Sequence, residues 1–199
     1  MNTKKSINFA FALLAAPLVL GGCAGSSHNG MESMQSATAT AKPGTTDLPV
    51  AASDLMFVEM MIPHHEQAVE MALMAPGHGA NPEVMALAAK IASAQGPEIV
   101  QMQGMLSRWG VSEMSDHSGH QMDGMVDASG MEELDAASGA EFDLLFLKLM
   151  IEHHLGAISM AQDPLTNGAD PELNKLLRAI VEAQATEIEQ MENMLEQMQ

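Results

Sequence analysis

Two stretches decide the fold: FVEMMIPHHEQAVEMA at residues 57–72 and FLKLMIEHHLGAISMA at residues 146–161. They align at an offset of 89 residues, and the match runs on without a gap. Asn81-Pro82-Glu83 falls on Asp170-Pro171-Glu172, Ala94-Gln95 on Ala183-Gln184, Glu98-Ile99 on Glu187-Ile188, Met102 on Met191 and Met105-Leu106 on Met194-Leu195. Roughly 22 of 50 aligned positions are identical, more than a shared amphipathic pattern gives by itself, so the chain contains an internal duplication.

Within each copy the apolar residues recur at spacings of three, four and seven, the mark of a helix with one buried stripe. Helices are expected over about 53–75 and 82–109 in the first copy, and about 140–162 and 171–198 in the second. Pro76-Gly77-His78-Gly79 and Asp163-Pro164 with Asn167-Gly168 end the first helix of each copy. Asn81-Pro82 and Asp170-Pro171 start the second, each with a capping side chain followed by proline in the first turn. Pro63 interrupts the first helix, where it cannot donate to the Glu59 carbonyl, so a kink or restart is expected there. No run alternates apolar and polar in the manner of a strand. The expected fold is all-α, two repeated helical hairpins joined by one long crossover at 110–139, which is the ferritin-like four-helix arrangement.

Outward from this domain, at 53–199, the N-terminus reads as an address. Lys4 and Lys5 precede an apolar run that ends in Leu20-Gly21-Gly22-Cys23, too short for a comfortable membrane span. This resembles a lipoprotein signal peptide at 1–22, which implies that Cys23 is lipidated and anchors the protein to the bilayer of a bacterial cell envelope, facing the periplasm or exterior. Residues 23–52 are rich in Ser, Thr, Ala and Gly and form a flexible tether carrying His28, Met31 and Met34.

Composition narrows the chemistry. The net charge of −18 excludes a nucleic-acid partner, because nothing neutralises phosphates. A single Cys excludes an intramolecular disulfide, a thiolate zinc site and an iron–sulfur cluster. What remains is 8 His, 20 Met and the carboxylates. Met61, His64, His65 and Met71 share the inward stripe of the first helix, as do Met150, His153, His154 and Met160 in the second copy. Folding each hairpin about its turn brings Gln95 and Glu98 toward the first His pair, and Gln184 and Glu187 toward the second. A polar layer of four His, two Gln and two Glu is expected, with thioether layers from Met61 and Met150 on one side and from Met71 and Met160 on the other. Adjacent helical residues diverge by about 100°, so the two His of a pair are not expected to serve one ion equally.

The crossover holds a second group, Met114, His117, His120, Met122 and Met125. Methionine is an unusual choice for a polar loop, and its alternation with His suggests soft-metal binding there. Met and His without Cys point to Cu(I), with Ag(I) able to substitute. Zinc would leave the thioethers unused.

The repeated Met-Ile-x-His-His-x-x-Ala-(Val/Ile)-x-Met-Ala segment, followed each time by Gln-x-x-Glu-Ile-x-x-Met-x-x-Met-Leu, resembles the family known as domain of unknown function 305, which includes CopM-type Met/His-rich copper proteins. The resemblance covers about residues 53–198. It implies a copper-binding bundle for sequestration, tolerance or delivery, the last with a protein partner. It also implies a ligand set drawn from Met61, His64, His65, Met71 and Met102, with Met150, His153, His154, Met160 and Met191 in the second copy. Lys148 and Leu149 stand where the first copy has Glu59 and Met60, so the halves need not bind equally.

Two other classes of function are weighed against this non-catalytic reading. A di-iron carboxylate oxidase would use Glu-x-x-His on two helices, but Glu66 leads to Val69 and Glu152 to Leu155. A lipid-anchored interaction module would use His and Met only as packing, the latter as flexible core filler.

Overall fold

The computed structural model describes residues 50–78, 81–111, 122–167 and 170–198. Residues 1–49, with Cys23 and most of the tether, and Met114, His117 and His120 lie outside the described residues. The described chain is helical, in the order α1 (Ala52–Met74), α2 (Pro82–Arg108), α3 (Ala128–Ala136), α4 (Ala140–Thr166) and α5 (Pro171–Gln197), with a short 3-10 turn at Ala75–Gly77.

The starts of α2 and α5 follow from their sequence. Asn81 Oδ1 accepts from Glu83 N at 2.8 Å, and Asp170 Oδ1 accepts from Glu172 N at 2.9 Å and Leu173 N at 3.2 Å. Each cap is itself held from the other hairpin. Asp143 on α4 accepts from Asn81 N through both oxygens at 2.9 and 3.0 Å, while Asp54 on α1 accepts from Asp170 N at 2.8 Å. Asp54 and Asp143 are equivalent in the repeat and both are buried, so two matching latches tie the hairpins together.

Three expectations are corrected. Pro63 does not restart α1, which runs unbroken from Ala52 to Met74. Asp163-Pro164 does not end α4 either. The helix continues through Pro164 to Thr166, as α2 continues through Pro97. Part of the crossover is not loop: Asp127 accepts from Gly130 N at 2.8 Å and caps α3, which buries Leu134 against the bundle.

The direction of the helices follows from which of their ends share a core. One apolar cluster joins the end of α1 (Met71, Ala72), the start of α2 (Val84, Leu87), the start of α4 (Phe142, Phe146, Met150) and the end of α5 (Met191, Met194). The other joins the start of α1 (Phe57, Met61), the end of α2 (Met102, Met105), the end of α4 (Ala157, Ala161) and the start of α5 (Leu173, Leu177). Thus α1 runs antiparallel to α2 and to α4, and α4 antiparallel to α5. The Arg108–Glu172 pair at 2.6 Å marks where α2 ends beside the start of α5. The end of α2 lies at one core and the start of α4 at the other.

Candidate metal centre

Between the two apolar cores lies a polar layer. His64, His65, His153 and His154 are all 0% exposed, and Gln95, Gln184 and Glu187 are buried with them. The helical divergence of adjacent residues separates the members of each pair. His64 and His153, equivalent in the repeat, meet across the α1–α4 interface with ring centroids 3.8 Å apart. Their neighbours turn toward the second helix of their own hairpins. His65 Nε2 lies 3.0 Å from Glu98 Oε2, and His154 Nε2 lies 3.0 Å from Glu187 Oε2. The glutamates differ in setting: Glu187 also meets Lys90 at 3.5 Å and is nearly sealed, whereas the Glu98 side chain keeps 20% of its surface exposed.

Burial dominates the proton chemistry of the central pair. His64 is pushed down from 6.5 to about 4, chiefly by desolvation, with a backbone hydrogen bond offsetting part of the shift and the neighbouring imidazoles adding to it. Desolvation pushes His153 to about 2, again with help from the surrounding imidazoles. Both rings are neutral at physiological pH, the state in which a nitrogen lone pair can bind a metal. Burial alone would raise the Glu187 carboxyl, but the His154 hydrogen bond and Lys90 outweigh it and hold the group below its ordinary range.

The layer is short of partners. Buried polar groups ordinarily find hydrogen bonds, and an exception asks for an explanation. Among the described residues ten buried side-chain polar atoms have none, and nine of them are in this layer: Nδ1 of all four His, Nε2 of His153, and both amide atoms of Gln95 and Gln184. The tenth, Asp54 Oδ1, belongs to a latch.

Thioethers border the layer on both sides, in groupings that differ from the sequence expectation. Met61 shares its core with Met102, Met105 and the partly buried Met160, whereas Met71 shares the other with Met150, Met191 and Met194. Pairing Met61 with Met150 assumed parallel α1 and α4; the antiparallel arrangement exchanges the partners. The two sets of four map onto one another at the repeat offset. Met105 and Met194 were missed as site members, although their place in the repeat was the signal for them. Also unforeseen is Asp123 in the crossover, whose carbonyl accepts from His64 Nε2–H at 3.1 Å. Met122 and Met125 flank it, partly buried.

Buried imidazole nitrogens without hydrogen-bond partners, set between thioether clusters, are donors suited to a soft monovalent cation. Among the described residues no three His, Cys, Asp or Glu side chains form a group able to hold a metal ion, so an ion in this layer would need thioether as well as imidazole donors. The class defined is a helical bundle with a duplicated His/Met interior.

The chain belongs to the DUF305 family, a domain of unknown function whose profile matches residues 54–195. Among solved structures it is similar to a Streptomyces coelicolor DUF305 protein described as secreted, at 31% identity and a TM-score of 0.69, covering 74% of this chain and 96% of that one. A DUF305 fragment from Deinococcus radiodurans matches at 33% identity and a TM-score of 0.68, covering 75% and 99%. CopM in its Cu(I)-bound form matches at 34% identity and a TM-score of 0.62, covering 72% and 96%. CopM is also known in Cu(II)-bound and Ag-bound forms. No curated protein sequence matches the chain significantly.

Proposed function

We propose that this protein binds Cu(I), and Ag(I) in its place, as cargo and without catalysis, in the cell envelope, for sequestration, tolerance or delivery to a partner. The observation that carries this reading is the concentration of unpartnered imidazole nitrogens in one buried layer, bordered by two matching thioether sets. Such a layer is unfavourable in an apolar core unless it has a ligand. His64 and His153 would hold the ion from the two halves, with thioethers available one helical turn away. Glu98 and Glu187 orient the neighbouring imidazoles as acceptors. The similarity to CopM, seen with Cu(I), Cu(II) and Ag, supports the choice of metal, and the secreted Streptomyces relative supports a location outside the cytoplasm. The leader ending at Cys23 supports lipid anchoring.

The test is competitive Cu(I) titration of the His64→Leu/His153→Leu double variant against the unaltered protein, using a chromophoric chelator. Loss of the tight sites with helicity intact is expected. Undiminished affinity would return these histidines to packing.

A further inference from the structure

The two halves of the layer are duplicates in sequence, but the crossover occurs once and touches them differently. Met122–Met125 is a tight turn in which Met125 N donates to the Met122 carbonyl at 3.3 Å. Gly124 occupies its third position at φ +80°, the conformation that turns the central peptide so that its carbonyl faces away from the turn. That carbonyl is Asp123 O, which accepts from His64 Nε2–H.

The turn is seated from both sides. On α1, Gln67 clasps the backbone of Val126, donating to its carbonyl at 2.8 Å and accepting from its N–H at 2.9 Å. On α4, Ser159 Oγ donates to Asp123 Oδ2 at 3.1 Å. The turn also presses directly on the α4 backbone: a Cβ at position 124 would stand 2.6 Å from the Glu152 carbonyl oxygen and 2.9 Å from that of His153. A Cβ at position 156 would collide with the Asp123 carbonyl itself. Position 156 is the repeat equivalent of Gln67, so one register position grips the turn in the first copy and makes room for it in the second.

The consequence lies in the histidine protons. A carbonyl only accepts, so the bond to Asp123 fixes the proton of neutral His64 on Nε2 and leaves Nδ1 as the lone pair facing the layer, where it has no partner. Its twin His153 has no such contact with the crossover: neither ring nitrogen reaches a hydrogen-bond partner, and the His64 backbone gives it only the weakest of its favourable interactions. We infer that the Met122–Met125 turn is a positioning element that presets His64 to bind through Nδ1, leaves His153 unconstrained from the crossover, and thereby makes the two halves unequal toward a soft metal ion. The metal clause rests on the copper reading above; the tautomer clause does not.

The experiment uses the metal-free protein labelled with 15N at histidine, read by long-range proton–nitrogen correlation. It compares the unaltered chain with Gly156→Ala, which evicts the Asp123 carbonyl while favouring the helix, and with Gln67→Ala, which releases Val126. In the unaltered protein His64 should show a solvent-protected Nε2 proton and a bare Nδ1. Both variants should lose that protection at His64 while His65 and His154, held by their glutamates, keep theirs. Cu(I) added to the variants should bind about 10–100-fold more weakly at the site containing His64, the range for loss of a partner that orients a ligand. An unchanged His64 signal in both variants would overturn the positioning role, as would a changed signal with unchanged Cu(I) affinity. Absence of Cu(I) binding by the unaltered protein would overturn the metal clause and the copper reading together, while the tautomer comparison still decides the rest.

Discussion

Replacing His153 by Leu should make the metal-free protein more stable. His153 is fully buried, its two ring nitrogens have no hydrogen-bond partner, and burial holds it neutral. A buried polar group left unsatisfied costs about 1–3 kcal/mol, and leucine of similar size removes that penalty while adding apolar contact. Imperfect fit subtracts up to about 1.5 kcal/mol. The net gain is then up to about 3 kcal/mol, which corresponds to up to about 12 °C in Tm for a domain of this size. His154→Leu, one residue along the same helix, should do the opposite, because it takes from the nearly sealed Glu187 its closer partner and leaves it only Lys90 at 3.5 Å. Thermal and urea unfolding of both variants under a metal chelator makes the comparison. Destabilisation by His153→Leu as large as that by His154→Leu would refute the claim that the centre of the layer is held for a ligand at the expense of stability.

Acidification gives a second test. The folded-state values of His64 and His153 lie below 6.5, so the unfolded chain takes up protons that the folded chain refuses. Their contribution is intact above pH 6.5 and declines as pH falls, toward about 4 for His64 and about 2 for His153, by up to about 1.4 kcal/mol per pH unit per histidine. Urea midpoints at pH 7, 6 and 5 should fall accordingly and flatten in the His64→Leu/His153→Leu variant; a midpoint that rises on acidification contradicts the assignment. Glu187 adds a separate loss as pH falls below 4.5. At the latches, Asp143→Ala should cost about 1.5–3 kcal/mol, the range for hydrogen bonds to a charged group. Asp54→Ala should cost less, since one of its oxygens already has no partner, and equal losses in denaturant titrations would count against the latch reading. Substituting Met114, His117, His120, Met122 and Met125 together should lower copper capacity without changing far-UV circular dichroism; unchanged stoichiometry would remove the crossover from metal capture.

The fold was legible because the duplication reads each hairpin twice. Asn81-Pro82 and Asp170-Pro171 mark helix starts by local chemistry alone, and the structure places both where that chemistry requires. Helix ends were less legible at Pro164, which α4 absorbs because burial of Ala161 and Pro164 against the bundle outweighs the missing backbone donor. The polar layer was readable from hairpin reflection, since His65 with Glu98 and His154 with Glu187 are contacts within one hairpin. The partnership of the thioethers was not, because Met61 and Met160 lie on different hairpins whose relative direction depends on the path of the crossover. Asp123 was invisible for a related reason: its contribution is a backbone carbonyl, which any residue supplies, placed by a glycine turn and by the absence of a side chain at Gly156.

The most direct measurement is anaerobic Cu(I) titration of the protein against a competing chelator, with thermal stability followed in parallel and iron, zinc and silver tested alongside. The account predicts tight binding of Cu(I) and Ag(I) at more than one site, with a rising Tm and little retained iron. Weak Cu(I) binding without stabilisation, or a preference for two iron ions, would contradict it.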